Sequence, residues 1–135
     1  MNDAERIIKE LKLEPHPEGG YFAECFRSKD ISLIYYLLKK NEKSHWHRLT
    51  KNETLHFYKG DPLMIYISED GSNFITITID GKKKFNVTIS AKSWFAMKCD
   101  GDYSLIGCTV SPAFDYKDFE LAPEDWKPKK FNIEI

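Results

Sequence analysis

Apolar positions recur at two different spacings along the chain. Ala4, Ile7, Ile8 and Leu11 fall at helical spacing and make one stripe. Asn2 stands where a cap belongs and Glu5 follows three residues later, so the pattern predicts a helix over Asp3–Lys12. Pro15 and Pro17 stop it. From Tyr21 onward the period drops to two. Runs rich in β-branched and aromatic residues predict strands at Tyr21–Phe26, Ser32–Leu38, Ser44–Leu49, Thr54–Tyr58, Leu63–Ser68, Phe74–Ile79, Lys84–Ile89, Ser93–Cys99 and Tyr103–Val110. Asp-Gly, a strong hairpin signal, separates neighbouring runs at Asp70-Gly71, Asp80-Gly81 and Asp100-Gly101. With no helical period between the runs, a βαβ fold is excluded and an antiparallel sandwich or barrel is expected, the jelly roll among them. Beyond Val110 the pattern loosens. Phe131–Ile135 alternates again and is expected to add an edge strand or to pack over the barrel mouth.

Length and composition narrow this reading. The 135 residues suffice for one core, and no repeat or linker divides them, so 1–135 is read as a single domain. A 41% hydrophobic content with nine Phe, seven Tyr and three Trp fits a packed globule. Basic and acidic residues number 20 and 21, so no basic field invites nucleic acid. The lysines at 82–84 and at 127, 129 and 130 read as a solvated turn and tail. Cys25, Cys99 and Cys108 are odd in number and form no CxxC, which argues against a disulfide framework or a thiolate zinc site. With no signal-like start and no long apolar run, a cytoplasmic location away from membranes is expected. Open sheet edges predict self-association, most simply as a homodimer, with Phe22 or Tyr66 as candidate exposed aromatics.

Candidate chemistry gathers in Ser44-His45-Trp46-His47-Arg48 and Glu53. On a regular strand His45 and His47 share one face and Trp46 takes the other. The short turn Thr50-Lys51-Asn52 brings Glu53 back beside them. Two His and one carboxylate form a possible metal-ligand set. A carboxylate turned into a small barrel also requires a partner or a ligand. His56 has the opposite parity to Glu53 and is expected to face outward. Arg48 is expected to form a structural ion pair, and Cys108 to be a small buried hydrophobe. His16 lies in a Pro-flanked loop, either over a pocket mouth or in a plain turn. No GxGxxG, phosphate-binding loop or GxSxG is present.

Four motifs occur in order: Pro15-His16-Pro17-Glu18-Gly19-Gly20-Tyr21, Ser44-x-Trp46-His47-Arg48, Glu53-x-x-His56-Phe57-Tyr58-x-Gly60 and Gly107-Cys108-Thr109-Val110-x-Pro112-x-Phe114-Asp115. Together they resemble a branch of the cupin superfamily of unknown function (DUF985-like), loosely labelled as predicted sugar epimerases. The resemblance runs from about Leu11 to Leu121 and implies a cupin jelly-roll barrel. It departs from the usual cupin at Ser90-Ala91-Lys92-Ser93-Trp94-Phe95, where Phe95 or its neighbour stands in place of a further metal-ligand histidine.

The resemblance implies a small-molecule pocket, with Tyr21, Tyr35, His45, His47, Glu53 and Trp94 as candidate lining. An epimerase- or isomerase-like reading on a sugar or nucleotide sugar makes His47 the base and Glu53 its orienter, with Tyr35 or Tyr58 as acid. A metabolite-binding module without turnover is the alternative of another class. No bound metal is favoured. A divalent ion on His45, His47 and Glu53 would instead point to an oxygenase or isomerase.

Overall fold

The computed structural model describes residues 1–135. The helix, α1, covers Asp3–Glu10, and the Asn2 side chain accepts a hydrogen bond from the Glu5 amide at 2.8 Å. It ends two residues earlier than the apolar stripe suggests, because Lys12 turns into the left-handed region at φ 56°. Eleven strands follow: β1 Glu14–Pro15, β2 Tyr21–Arg27, β3 Ser32–Lys39, β4 Lys43–Leu49, β5 Asn52–Gly60, β6 Leu63–Ser68, β7 Ile75–Ile79, β8 Asn86–Ile89, β9 Trp94–Cys99, β10 Tyr103–Ser111 and β11 Phe119–Leu121. They form two antiparallel sheets, β1-β2-β3-β10-β5-β8 and β11-β4-β9-β6-β7. This is the cupin jelly roll with one short N-terminal helix.

The period of two explains the packing. On β3, Tyr36 and Leu38 point between the sheets, where they meet Leu55, Ile65, Phe95 and Ile106. Leu37 points the other way and is covered by Ala4 and Ile7 of α1. The expected strand Lys84–Ile89 is shorter at its start. The Asp80 carboxylate accepts from the amides of Lys82, Lys83 and Lys84, which holds them in the turn.

The C-terminal segment departs from both expectations. It contributes β11 along β4, then crosses the outer face of the five-stranded sheet without forming a strand at its end. Ala122 and Phe131 pack there on Trp46, Tyr66 and Ala96, making an apolar layer separate from the barrel core. Tyr66 is therefore 2% exposed, and its ring lies 5.3 Å from that of Phe131. Phe22 faces the interior pocket. Neither of the two aromatics named for self-association is free at the surface. No helix is long and apolar enough to cross a membrane.

Candidate active site

A pocket of about 80 Å³ opens at one end of the barrel. Its inner titratable side chains include His16 and Glu18 from the β1–β2 loop, His47 from β4 and Glu53 from β5. Apolar groups such as Phe22, Ile34, Leu49 and Phe119 make up the walls. At the rim, Arg27 is already paired with Glu24 at 2.9 Å and donates to the Phe114 carbonyl at 2.7 Å.

The loop enters the barrel because two glycines allow it. Gly19 and Gly20 have φ of 107° and 77°, and a Cβ on either would collide with the Lys43 carbonyl or the Tyr36 hydroxyl. The Tyr36 hydroxyl donates to the Gly19 carbonyl and pins the turn. Glu18 is thereby held inside, with its side chain 9% exposed. Its backbone carbonyl accepts from the His45 amide at 2.7 Å.

Strand β4 does not alternate regularly. Its pairing with β9 slips between Ser44 and His47, so two residues stand between two inward side chains. Ser44 and His47 turn in, and both reach Glu18 Oε2. The Ser44 hydroxyl donates to it, and His47 Nε2 lies 3.3 Å from it. His45 turns out and its Nε2 meets the Pro123 carbonyl at 2.9 Å. The expectation that His45 shares a face with His47 is corrected by this bulge.

The set His45, His47 and Glu53 consequently does not converge. No group of three or more His, Cys, Asp or Glu side chains is gathered to hold a metal ion. The residues present do not fit a metal centre built on that set.

The hydrogen bonds fix the imidazole tautomers. The His45 carbonyl can only accept, so His47 Nδ1, 2.7 Å away, carries a proton, and Nε2 faces Glu18 Oε2 at 3.3 Å. His16 Nδ1 accepts from the Glu18 amide at 3.1 Å and lies 3.3 Å from Glu18 Oε1 without a hydrogen bond to it, so the proton of a neutral His16 sits on Nε2. The His16 side chain is 6% exposed, and its ring packs edge-on to Phe22 at 4.6 Å.

Burial sets the electrostatics. It lowers the pKa of His47 to about 4, against the hydrogen bond to His45, which works the other way. It raises Glu53 to about 8, helped by the nearby Glu18 charge and opposed by a hydrogen bond with Cys108. It also raises Glu18, opposed by His16 and Ser44, and lowers His16. Burial and the Glu53 charge push the Cys108 thiol well up, so it rests as a neutral wall group.

The other candidates lie elsewhere. Tyr35 has the opposite parity to the inward Tyr36, and its ring lies 6.2 Å from that of Tyr58 on the outer face of the six-stranded sheet. Tyr21 packs in the cluster beneath α1, with the Lys39 ammonium 5.0 Å from its ring. Trp94 is on the outer face of the five-stranded sheet, 4.7 Å from Trp126 and 4.3 Å from the Arg48 guanidinium. Arg48 is paired with Glu120 at 2.9 Å. None of Tyr35, Tyr58, Tyr21 and Trp94 lines the pocket. Nor is Glu53 the orienter of His47, whose two nitrogens are taken by the His45 carbonyl and Glu18. Sequence reasoning did not single out Glu18. Its signal was the Gly19-Gly20 pair, which permits a loop to fold inward.

Two sheets closed around a polar pocket define the class of protein, a cupin. The chain belongs to the family described as "Cupin superfamily (DUF985)", whose model matches residues 5–122. No curated protein matches. A protein from Shewanella oneidensis is 34% identical with a TM-score of 0.84, covering 90% of this chain and 85% of that one. A hypothetical protein from Leishmania major is 32% identical with a TM-score of 0.81, covering 88% of this chain and 86% of its own. The capsular polysaccharide assembling protein CapF from Staphylococcus aureus shares the fold at 18% identity and TM-score 0.68. The match covers 81% of this chain and 33% of CapF.

Proposed function

We propose that this protein is an acid–base enzyme that moves a proton on a small carbonyl compound held in the barrel pocket. The observation that carries the reading is the convergence of the Glu18–His47 pair and Glu53 on one small, apolar-walled cavity. Charged groups are costly in such surroundings, and the hydrogen bonding allows all of them to be neutral. Burial raises Glu18 and lowers His47, which draws their protonation affinities together, and Glu53, raised to about 8, keeps its proton at neutral pH. Two proton-carrying stations with separated affinities are what acid–base catalysis requires.

Glu53 is raised to about 8, so near neutral pH its ionised fraction is the base. His47 was the base on the sequence pattern, but its Nε2 is turned onto Glu18 Oε2 at 3.3 Å. The Glu53 carboxylate takes a proton from the carbon beside the carbonyl. The C–H electron pair becomes a C=C bond, and the carbonyl π pair moves to oxygen. Return of the proton to the same carbon regenerates the substrate, and its return to the neighbouring carbon, with the hydroxyl proton of the first carbon passing to the former carbonyl oxygen, gives the isomer; either route restores Glu53. A cavity of about 80 Å³ holds several times the ~10–15 Å³ that one water needs. It is well under the roughly 300–1,000 Å³ that buries a drug-sized ligand. Small hydroxy-carbonyl compounds fit, and of a nucleotide sugar only the reacting end enters.

Proton exchange tests this without knowledge of the product. The protein is incubated in D₂O near pD 8 with a panel of short hydroxy-aldehydes and hydroxy-ketones and followed by NMR. Deuterium is expected beside the carbonyl of at least one, slowed roughly 10²-fold or more in Glu53→Gln. A compound that binds while none exchanges would make the protein a binding module and end the enzymatic reading.

A further inference from the structure

His16 is a neutral imidazole whose one proton has no partner in the protein. Its Nδ1 is used by the Glu18 amide, which leaves the proton on Nε2. Its side chain is more than nine-tenths buried and lines the pocket. Nε2 makes no hydrogen bond, yet it is absent from the fully enclosed unpaired atoms, so it faces the cavity space. A buried N–H left this way goes without a hydrogen bond until something accepts it. Of the polar groups beside it, Glu18 Oε2 is taken by Ser44 and His47 and His47 Nδ1 by a carbonyl, while the Glu53 carboxyl also faces the pocket. The rim guanidinium of Arg27 is held by Glu24 and Phe114.

We infer that His16 is a further catalytic residue, binding the carbonyl oxygen of a small uncharged hydroxy-carbonyl substrate through Nε2–H. The inference rests on the proton-transfer reading above. A neutral imidazole suits the role because it donates to an oxygen gaining negative charge without releasing its own proton. An uncharged ligand suits the pocket because neither the guanidinium at the rim nor any other cation is free to pair with an anion. A carboxylate ligand would also lie beside Glu18 and Glu53.

The test uses the full chain and three probes: dihydroxyacetone, glycerol, which lacks the carbonyl, and glycerate, which adds a charge. Long-range ¹H–¹⁵N spectra of the wild-type protein at pH 7 read the His16 tautomer directly. We expect the Nε2–H form, with the Nε2 resonance moving on addition of dihydroxyacetone and Nδ1 holding still. His16→Phe is expected to weaken dihydroxyacetone binding about tenfold, the loss of one hydrogen bond. His16→Gln, which keeps a donor, restores part of it, and glycerol binding is unchanged. An Nδ1–H or cationic His16, tighter binding of glycerate than of dihydroxyacetone, or unchanged binding in a folded His16→Phe would each overturn the inference. If His16→Phe does not fold, the wild-type tautomer and its response decide alone. Absence of deuterium exchange with His16-dependent binding intact defeats the enzymatic reading and leaves the His16 contact standing. Exchange indifferent to His16 does the reverse.

Discussion

Glu53 rests as a carboxylic acid near neutral pH, and that shapes how stability depends on pH. Between its ordinary 4.5 and about 8, the folded chain keeps a proton that the unfolded chain has released. Raising pH through this window therefore favours unfolding, by up to about 1.4 kcal/mol per pH unit from this group alone. Glu18, also raised, adds to the fall. His47 acts in the other direction, and His16, also lowered by burial, acts with it. Between about 4 and 6.5 the unfolded imidazole takes up a proton that the folded one refuses, so stability rises with pH there. The two effects oppose each other up to about 6.5, and above it only the carboxyl contribution remains. Urea unfolding at pH 5.5, 6.5 and 8 should show stability nearly level over the first interval and falling over the second. Glu53→Gln should flatten that fall, and a Glu53→Gln curve identical to wild type at pH 8 would contradict the assignment. The inward position of Glu53 was legible from parity, since Glu53, Leu55 and Phe57 share a face. Its ionisation state was not, because that depends on Glu18, which is remote in sequence.

Strands announce themselves through local alternation, and that is why most of β2 to β10 was readable along the chain. The bulge in β4 was not. One extra residue leaves the composition of Ser44–Leu49 unchanged, yet it exchanges His45 for Ser44 as the neighbour of His47 inside the barrel. The metal-ligand reading failed at that step. The loop ahead of β2 was half legible: its glycines marked a special backbone, but where it travelled depended on Tyr36 and Lys43 across the barrel. Its rigidity carries a prediction. Gly20→Ala places a methyl group at φ 77° against the Tyr36 hydroxyl and the Leu37 carbonyl. It should cost about 1–3 kcal/mol in chemical denaturation. It should also abolish pocket binding in protein that is still folded, because His16 and Glu18 ride on the displaced loop. Wild-type stability in Gly20→Ala would show that the loop is not pinned as described.

At the scale of the whole molecule there are two apolar interiors. One lies between the sheets, and the other lies between the five-stranded sheet and the C-terminal segment. The first follows from strand alternation and was expected. The second was hidden, because Trp46, Tyr66 and Ala96 read as the outward set of their strands and nothing local says that a distant segment returns to cover them. Trp46, Trp94 and Trp126 are the three tryptophans of the chain, and all of them belong to this outer layer. None reaches the pocket. The intrinsic ultraviolet emission of the protein is therefore a gauge of how closely the C-terminal segment is seated, and it is blind to what enters the barrel. A titration followed by tryptophan fluorescence should stay silent while NMR reports saturation. Removing residues 123–135 should shift the emission of Trp46 and Trp94 to the red with the barrel still closed.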